Sequence, residues 1–256
     1  RQAEEARAQM QEEVVRSREQ LTQMIIHDLK TPLTAVVGFL DMLKRSQLSD
    51  GQHALVHGAS RSATRMDMLV ATILDTARLA EGRMTLRREP TDIAELAKGC
   101  VEDLRVWAEQ DMHHLVVDLP EDLPALALDA GVLQRVILNL LSNAIKHTPI
   151  ETRIALGARN DDAELRLWVS DNGPGIPLEQ QRRLFERFCV ADSQPNRQNS
   201  TGLGLTFCKL AIEAHGGTIT LESDATHGTT FTIVLPLALV DAAQIREHDT
   251  TLADDD

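Results

Sequence analysis

The stretch Ile26-His27-Asp28-Leu29-Lys30-Thr31-Pro32-Leu33-Thr34 lies inside a run that otherwise reads as helix. Before it, Met10, Val14, Ser17, Leu21 and Met24 step by four and three, the seam spacing of a coiled coil. After it, Leu33, Val36, Val37, Leu40 and Leu43 continue an apolar face at helical period. Pro32 has no N–H for the preceding turn, so a kink is expected just past His27. The stripe sets His27 beside the seam, which puts its imidazole on an exposed bundle surface. A lone histidine on a helix is usually inert; the company of Asp28, Thr31 and Pro32 singles this one out.

Working outward, the first helix is expected to run from the N-terminus to about Lys44, and Ser46 to Gly51 reads as a polar turn. A second helix follows over roughly Gln52 to Leu79, with Leu55, Ala59, Ser62, Met66, Leu69, Ile73 and Ala77 as its inward stripe. Two such helices hold too little core to stand alone, so a second copy completing a four-helix bundle is expected. Arg87 to Thr91 reads as a short connector. The expected domains are a dimerisation hairpin over 1–82, a linker over 83–90, a second domain over 91–240 and an acidic, frayed tail over 241–256. The opening Arg1-Gln2-Ala3-Glu4 is in mid-helix style, as if an input domain lay upstream.

Composition narrows the function. Hydrophobic residues make up 43% of the 256, enough for a core, but aromatics are only 3% and Tyr is absent, so that core is aliphatic. A net charge of -13 argues against nucleic-acid binding, which needs clustered Lys and Arg. Cys100, Cys189 and Cys208 have neither metal-ligand spacing nor an obvious pairing, which suits a reducing, cytoplasmic setting. No run of ~18 apolar residues and no signal peptide is visible, so no membrane contact is expected of this segment.

Beyond the linker, helices alternate with strands. Ile93 to Gln110 is an amphipathic helix, His114 to Leu119 a strand, and Leu123 to Leu128 a weaker strand. Asp129 N-caps a helix over Gly131 to Lys146. Arg153 to Leu156 and Glu164 to Val169 alternate like paired strands, as do Thr218 to Ser223 and Thr229 to Leu235. This pattern layers helices on one face of a mixed sheet.

Four segments of this domain share a chemical theme. In Leu138 to His147, the residues Asn139, Asn143 and Lys146 fall four and three apart, on one helical face. Two amides and an ammonium suit a Mg²⁺–polyphosphate better than a bare metal, because Mg²⁺ takes few protein ligands plus phosphate oxygens; a solvated polar face is the plainer reading. In Val169 to Pro177, a strand ends in Asp171 and then turns through Gly173 and Gly175. A carboxylate held there can accept from an exocyclic amine such as adenine's. Leu184 to Phe188 frames Arg187 with two phenylalanines, which also fits a core patch. Ser200-Thr201-Gly202-Leu203-Gly204 opens a helix running to Ala214, and a glycine-rich helix N-terminus offers N–H groups to phosphates. Between the last two, Val190 to Asn199 is polar, as a mobile lid would be.

In this order, the segments resemble the N, G1, F and G2 boxes of the ATPase domain of sensor histidine kinases, and His27-Asp28-Leu29-Lys30-Thr31-Pro32 resembles their phosphoacceptor box. His215-Gly216-Gly217 and Gly228 to Phe231 resemble the closing glycine hairpin. The resemblance covers roughly Glu13 to Pro236. It implies an α-helical hairpin forming a dimeric four-helix bundle, followed by an α/β sandwich that binds ATP. It further implies His27 as phosphoacceptor, Asp28 as its base, and Thr31 as the residue positioning water to dephosphorylate a response-regulator partner. Asn143 would bind Mg²⁺, with Asn139 and Lys146 supporting the phosphates. Asp171 would read adenine, with Gly173 and Gly175 shaping the pocket; Gly202, Leu203 and Gly204 would line the phosphates. Arg187 would contact either the nucleotide or the lid. Two residues depart from the family pattern: Ser200 replaces the first glycine of G2, and His147 stands where an aromatic usually packs near adenine. A gyrase or mismatch-repair type ATPase would share Asn143 and Asp171 but lack the His27 helix. A kinase-dead scaffold would not need intact boxes.

Overall fold

Ser49 starts a helix with one half of a capping box, the Gln52 side chain reaching back to it. Its backbone N–H and its hydroxyl both donate to Gln52 Oε1, at 2.9 and 3.1 Å, while its carbonyl accepts from His53 N–H at 2.9 Å. The Gln52 side chain thereby satisfies the Ser49 N–H, a donor that a helix N-terminus otherwise leaves open. It explains why the helix begins at Asp50 and not after Gly51. The computed structural model describes residues 32–46, 48–80, 82, 84–161, 163–186 and 202–237. His27, Asp28, Thr31, Arg187, Ser200, the seam from Met10 to Met24, the segment Val190 to Asn199 and the acidic tail lie outside the described residues. The chain divides into two compact units, Arg1–Glu81 and Gly82–Asp256.

The first unit contains helix α1 (32–44) and helix α2 (Asp50–Ala80). Leu33, Ala63, Val70 and Leu79 are buried within it. Of the stripe expected to face a bundle interior, Leu55 is 75% and Met66 55% exposed in the single chain, and on α1 Phe39 and Met42 are 65% and 70% exposed. Among the described residues, no element covers this side of α2, so Leu55 and Met66 are left bare.

The second unit is an α/β sandwich. In chain order it holds β1 (Glu89–Thr91), α3 (Ile93–Gln110), β2 (His114–Asp118), β3 (Leu126–Leu128), α4 (Ala130–His147), β4 (Arg153–Asp161), β5 (Glu164–Asp171), α5 (Leu178–Gln181), α6 (Gly204–Ala214), β6 (Thr218–Asp224) and β7 (Gly228–Pro236). A five-stranded mixed sheet runs β2-β4-β5-β7-β6, with β2 and β4 parallel and the rest antiparallel. β1 and β3 pair separately. The stretch 87–91, read as a connector, is therefore partly strand, and Pro90 is tolerated because a two-stranded ribbon leaves edges free.

Strand register fixes which residues meet the helices. Leu156, Val169 and Phe231 align across β4, β5 and β7, and Ala158, Leu167 and Ile233 form the next row. All are buried against the layer containing Ile137, Leu140, Leu141 and Phe207, and each large side chain so buried contributes ~1.5–3 kcal/mol. β4 runs past Leu156, where its alternation lapses, because Gly157 is covered by the indole of Trp168 and a Cβ there would collide with that ring. Cys100 and Cys208 are free and buried, and burial pushes the Cys100 thiol up to about 12, so neither is poised as a thiolate. Among the described residues, no helix is long and apolar enough to cross a membrane.

The segment entering this unit is fastened at one end of the helix layer. Asp129 caps α4, accepting from Val132 N–H at 3.1 Å, and its other carboxylate oxygen accepts from Arg87 N–H at 2.9 Å. Asp129 N–H donates to His215 Nε2 at 3.1 Å, while His215 Nδ1 lies 2.7 Å from the Ala211 carbonyl. These contacts define the neutral tautomer protonated on Nδ1. Desolvation lowers the His215 pKa below its usual value. The unfolded chain thus takes up a proton near pH 6.5 that the folded chain refuses, and stability falls as pH drops below about 6.5. Thermal melting from pH 7.5 to 5.5 should show a steeper loss in wild type than in His215→Gln; parallel slopes would remove His215 as the cause.

Candidate nucleotide site

Asp171 continues the helix-facing row of Leu165, Leu167 and Val169, since every second residue of β5 points to that side. Its carboxylate is thereby carried under the helix layer. Burial raises its pKa, opposed by hydrogen bonds from the backbone of Gly173 and Thr229. The Gly173 N–H donates to Asp171 Oδ1 at 2.9 Å and closes an Asx turn directly after the strand.

That turn has no room for side chains. A Cβ on Gly173 would lie 2.7 Å from the Thr148 methyl and 2.8 Å from Asp171 Oδ1. Thr148 is buried and bonds its hydroxyl to Ala144 O at 2.7 Å, closing the end of α4. Gly175 has φ +72° and would collide with the Asp224 carbonyl; Gly228 has φ +84° and would collide with the Asp171 carbonyl. Both positions need glycine for conformation and for space. The end of β5 is thus held by the β6–β7 turn on one side and by the end of α4 on the other.

A second group of the expected residues comes from α4 and α6, which pack together. Asn139 is half-buried, and its Nδ2 donates to Arg135 O at 2.9 Å. Its Oδ1 sits where a Cβ on Gly204 would be 3.0 Å away, so the first residue of α6 abuts this amide. Asn143, one turn on, is half-buried, with no side-chain hydrogen bond among the described residues. Leu203 is buried and caps α6 without a side-chain bond, leaving first-turn N–H groups available. Gly202 precedes it, half-buried. Thr206 Oγ1 donates to Phe185 O at 3.1 Å, and Phe185 meets Phe231 edge-on at 6.3 Å, so the half of the aromatic pair that is described belongs to the packing.

Lys146 goes elsewhere. Its ammonium lies over the Trp107 ring of α3, 5.6 Å from the centroid, while Asn139 faces α6. His147 is exposed. The structure sets Asn139 against Gly204, and separately gathers Asp171, Gly173 and Gly175 about the end of β5. Sequence reasoning missed the roles of Thr148, Thr229 and Trp107. A threonine between a helix end and Pro149 was a readable C-cap signal; Thr229 lay in the glycine hairpin already read, but its backbone bond to Asp171 was not legible there, and nothing in the sequence marked Trp107.

Comparison with known proteins agrees with this geometry. Residues 17–82 match the family described as His Kinase A (phospho-acceptor) domain, and residues 128–239 match Histidine kinase-, DNA gyrase B-, and HSP90-like ATPase. The chain belongs to the sensor histidine kinases. It is 40% identical over 215 residues to the probable sensor histidine kinase TcrY of Mycobacterium tuberculosis, covering 82% of this chain and 44% of TcrY. It is 32% identical over 251 residues to the adaptive-response sensory kinase SasA of a Synechococcus species, covering 91% of this chain and 66% of that protein. Full-length ShkA, solved in complex with AMPPNP, is similar with TM-score 0.67 and 27% identity over 85% of this chain and 45% of ShkA. The mycobacterial sensor histidine kinase MprB is similar with TM-score 0.52 and 30% identity over 58% of this chain and 97% of the solved chain. The chain thus spans less than half of TcrY and about two thirds of SasA, and its second unit has the ATP-binding ATPase fold of this family.

The half-buried Asp171 carboxylate carries a stability cost. A raised folded-state pKa means that Asp171 favours folding at low pH and disfavours it once pH passes through that value. Asp171→Asn removes the charge and keeps an oxygen for the Gly173 N–H. The nucleotide-free melting temperature at pH 7.5 should hold or rise. A fall of several degrees would show that the backbone bonds to the charge outweigh its desolvation.

Proposed function

We propose that this chain is the phosphoryl-transfer portion of an ATP-dependent protein-histidine kinase. His27 attacks the γ-phosphorus of ATP, a nitrogen–phosphorus bond forms as the bond to the bridging β–γ oxygen breaks, and ADP leaves. The phosphoryl group then passes to an aspartate on a response-regulator receiver domain. Asp28 takes up the imidazole proton as His27 becomes the nucleophile. Thr31 orients water for the reverse duty, dephosphorylation of that regulator.

The observation that carries the nucleotide half is the desolvated Asp171 carboxylate. It is oriented by the Gly173 N–H and walled by glycines whose positions admit no side chain. A half-buried acceptor of this kind gains from a donor delivered by a ligand, and adenine's exocyclic amine is one. Phosphates fall to the first turn of α6 with Gly202, Leu203 and Gly204, to Asn139 beside Gly204, and to Lys146 once its ammonium reaches them. His147 and Arg187 would border the same nucleotide. The half-buried Asn143 amide, with no bond among the described residues, fits a Mg²⁺ ligand. When bound with phosphate oxygens, that ion would neutralise charge and orient the γ-phosphate.

The match of residues 17–82 to a phospho-acceptor family supports a kinase over a gyrase-type conformational ATPase, and it contains His27. The bare stripe of Leu55, Met66 and Ile73 on α2 supports a homodimer, in which a second copy completes a four-helix bundle.

His27→Gln should abolish acid-labile, base-stable label from γ-labelled ATP while nucleotide affinity stays within about twofold. Label persisting in that variant would place the acceptor elsewhere. Asn143→Ala should weaken Mg-ATP at least tenfold and leave the dimer intact by light scattering. Gly204→Ala is expected to fold normally, since alanine suits a helix, yet to weaken ATP severalfold by displacing the Asn139 amide.

A further inference from the structure

Trp107 lies in the last turn of α3, and its indole is anchored. Nε1 donates to Asp111 Oδ2 at 3.0 Å, and Asp111 is the C-cap residue of the same helix. Platform and anchor therefore belong to one turn. Over this platform sits the Lys146 ammonium, 5.6 Å from the ring centroid, with both residues half-buried. α4 packs against α3 and against α6. Asn139 directs its carbonyl to Gly204 of α6, whereas Lys146 turns to α3, so two residues that share a helical face serve different neighbours.

An ammonium is a compact charge on a flexible four-carbon stem, able to exchange one site for another. A ring within about 6 Å holds it by the quadrupole of the π face. We infer that Trp107 is a positioning residue that holds the Lys146 ammonium against α3 in the nucleotide-free protein, in competition with the nucleotide's polyphosphate. The inference rests on the assignment of Lys146 to the phosphates made above. Moving to a phosphate oxygen forfeits the ring contact, so the platform lowers nucleotide affinity by the strength of that contact. A ligand shifts such an equilibrium only by its differential affinity for the two positions.

The test uses the full chain, AMPPNP with Mg²⁺, and calorimetry. Lys146→Met should weaken AMPPNP. Trp107→Leu should tighten it roughly two- to fivefold, the size of one exposed to half-buried cation–π contact. In the Lys146→Met background, Trp107→Leu should have no effect, because the competition has lost its subject. Asp111→Ala leaves the ring in place but unanchored, and should tighten binding less, in the same direction; it decides the matter if Trp107→Leu does not fold. The sequence has two tryptophans, so a Trp168→Phe background isolates Trp107. Saturating AMPPNP should then shift its emission, and Lys146→Met should abolish the shift. Trp107→Leu and Asp111→Ala leaving affinity unchanged or weaker, while Lys146→Met still weakens it, would overturn the competition and leave Lys146 at the phosphates. Unchanged affinity in Lys146→Met alone would overturn both.

Discussion

A carboxylate facing the helix layer is the constraint around which the second unit is arranged. Asp171 ends a row of buried aliphatic residues on β5, so the periodicity that builds the core also carries a charge beneath the helix layer. Desolvation disfavours that charge, and the surrounding backbone answers with N–H groups from Gly173 and Thr229. The close approach this requires excludes side chains at Gly173, Gly175 and Gly228. Position, cost and glycine requirement all follow from one strand delivering one acid to the wrong side for solvation.

The helix layer is organised about α4 in a comparable way. Asp129 and His215 close its beginning together with the end of α6, and Thr148 closes its end beside the Asp171 turn. Arg87 and Arg88 bond to the first of these junctions, through Asp129 Oδ2 and the Ala214 carbonyl. The segment that enters the unit is thereby tied to helices whose other ends form the candidate site. α4 itself is apolar toward the sheet and amide-bearing toward α6, so one helix supplies both the core and the polar wall.

The first unit follows different physics. Its second helix is capped by Ser49 and Gln52, but both helices leave large aliphatic or aromatic side chains bare. Surface of that kind in one chain is what association of two chains removes from water.

Much of this was readable from residues alone. Helices over 93–110 and 130–147 follow from aliphatic residues at period 3.6, the second with Asp129 as its cap, and β5 and β7 follow from strict alternation, because local periodicity needs no knowledge of the partner. The candidate site was legible as types and spacings: asparagines one turn apart, an acid before glycines, glycines before a helix. Tertiary structure alone decided the rest. It left Leu55 and Met66 of the α2 stripe bare in the single chain, because burial of a face depends on a neighbour and not on period. It extended β4 through Gly157, because the indole that covers that glycine comes from another strand. It sent the Lys146 ammonium to Trp107 rather than toward Gly204, because a flexible side chain goes where distant elements place its partners, and no spacing along one helix encodes that.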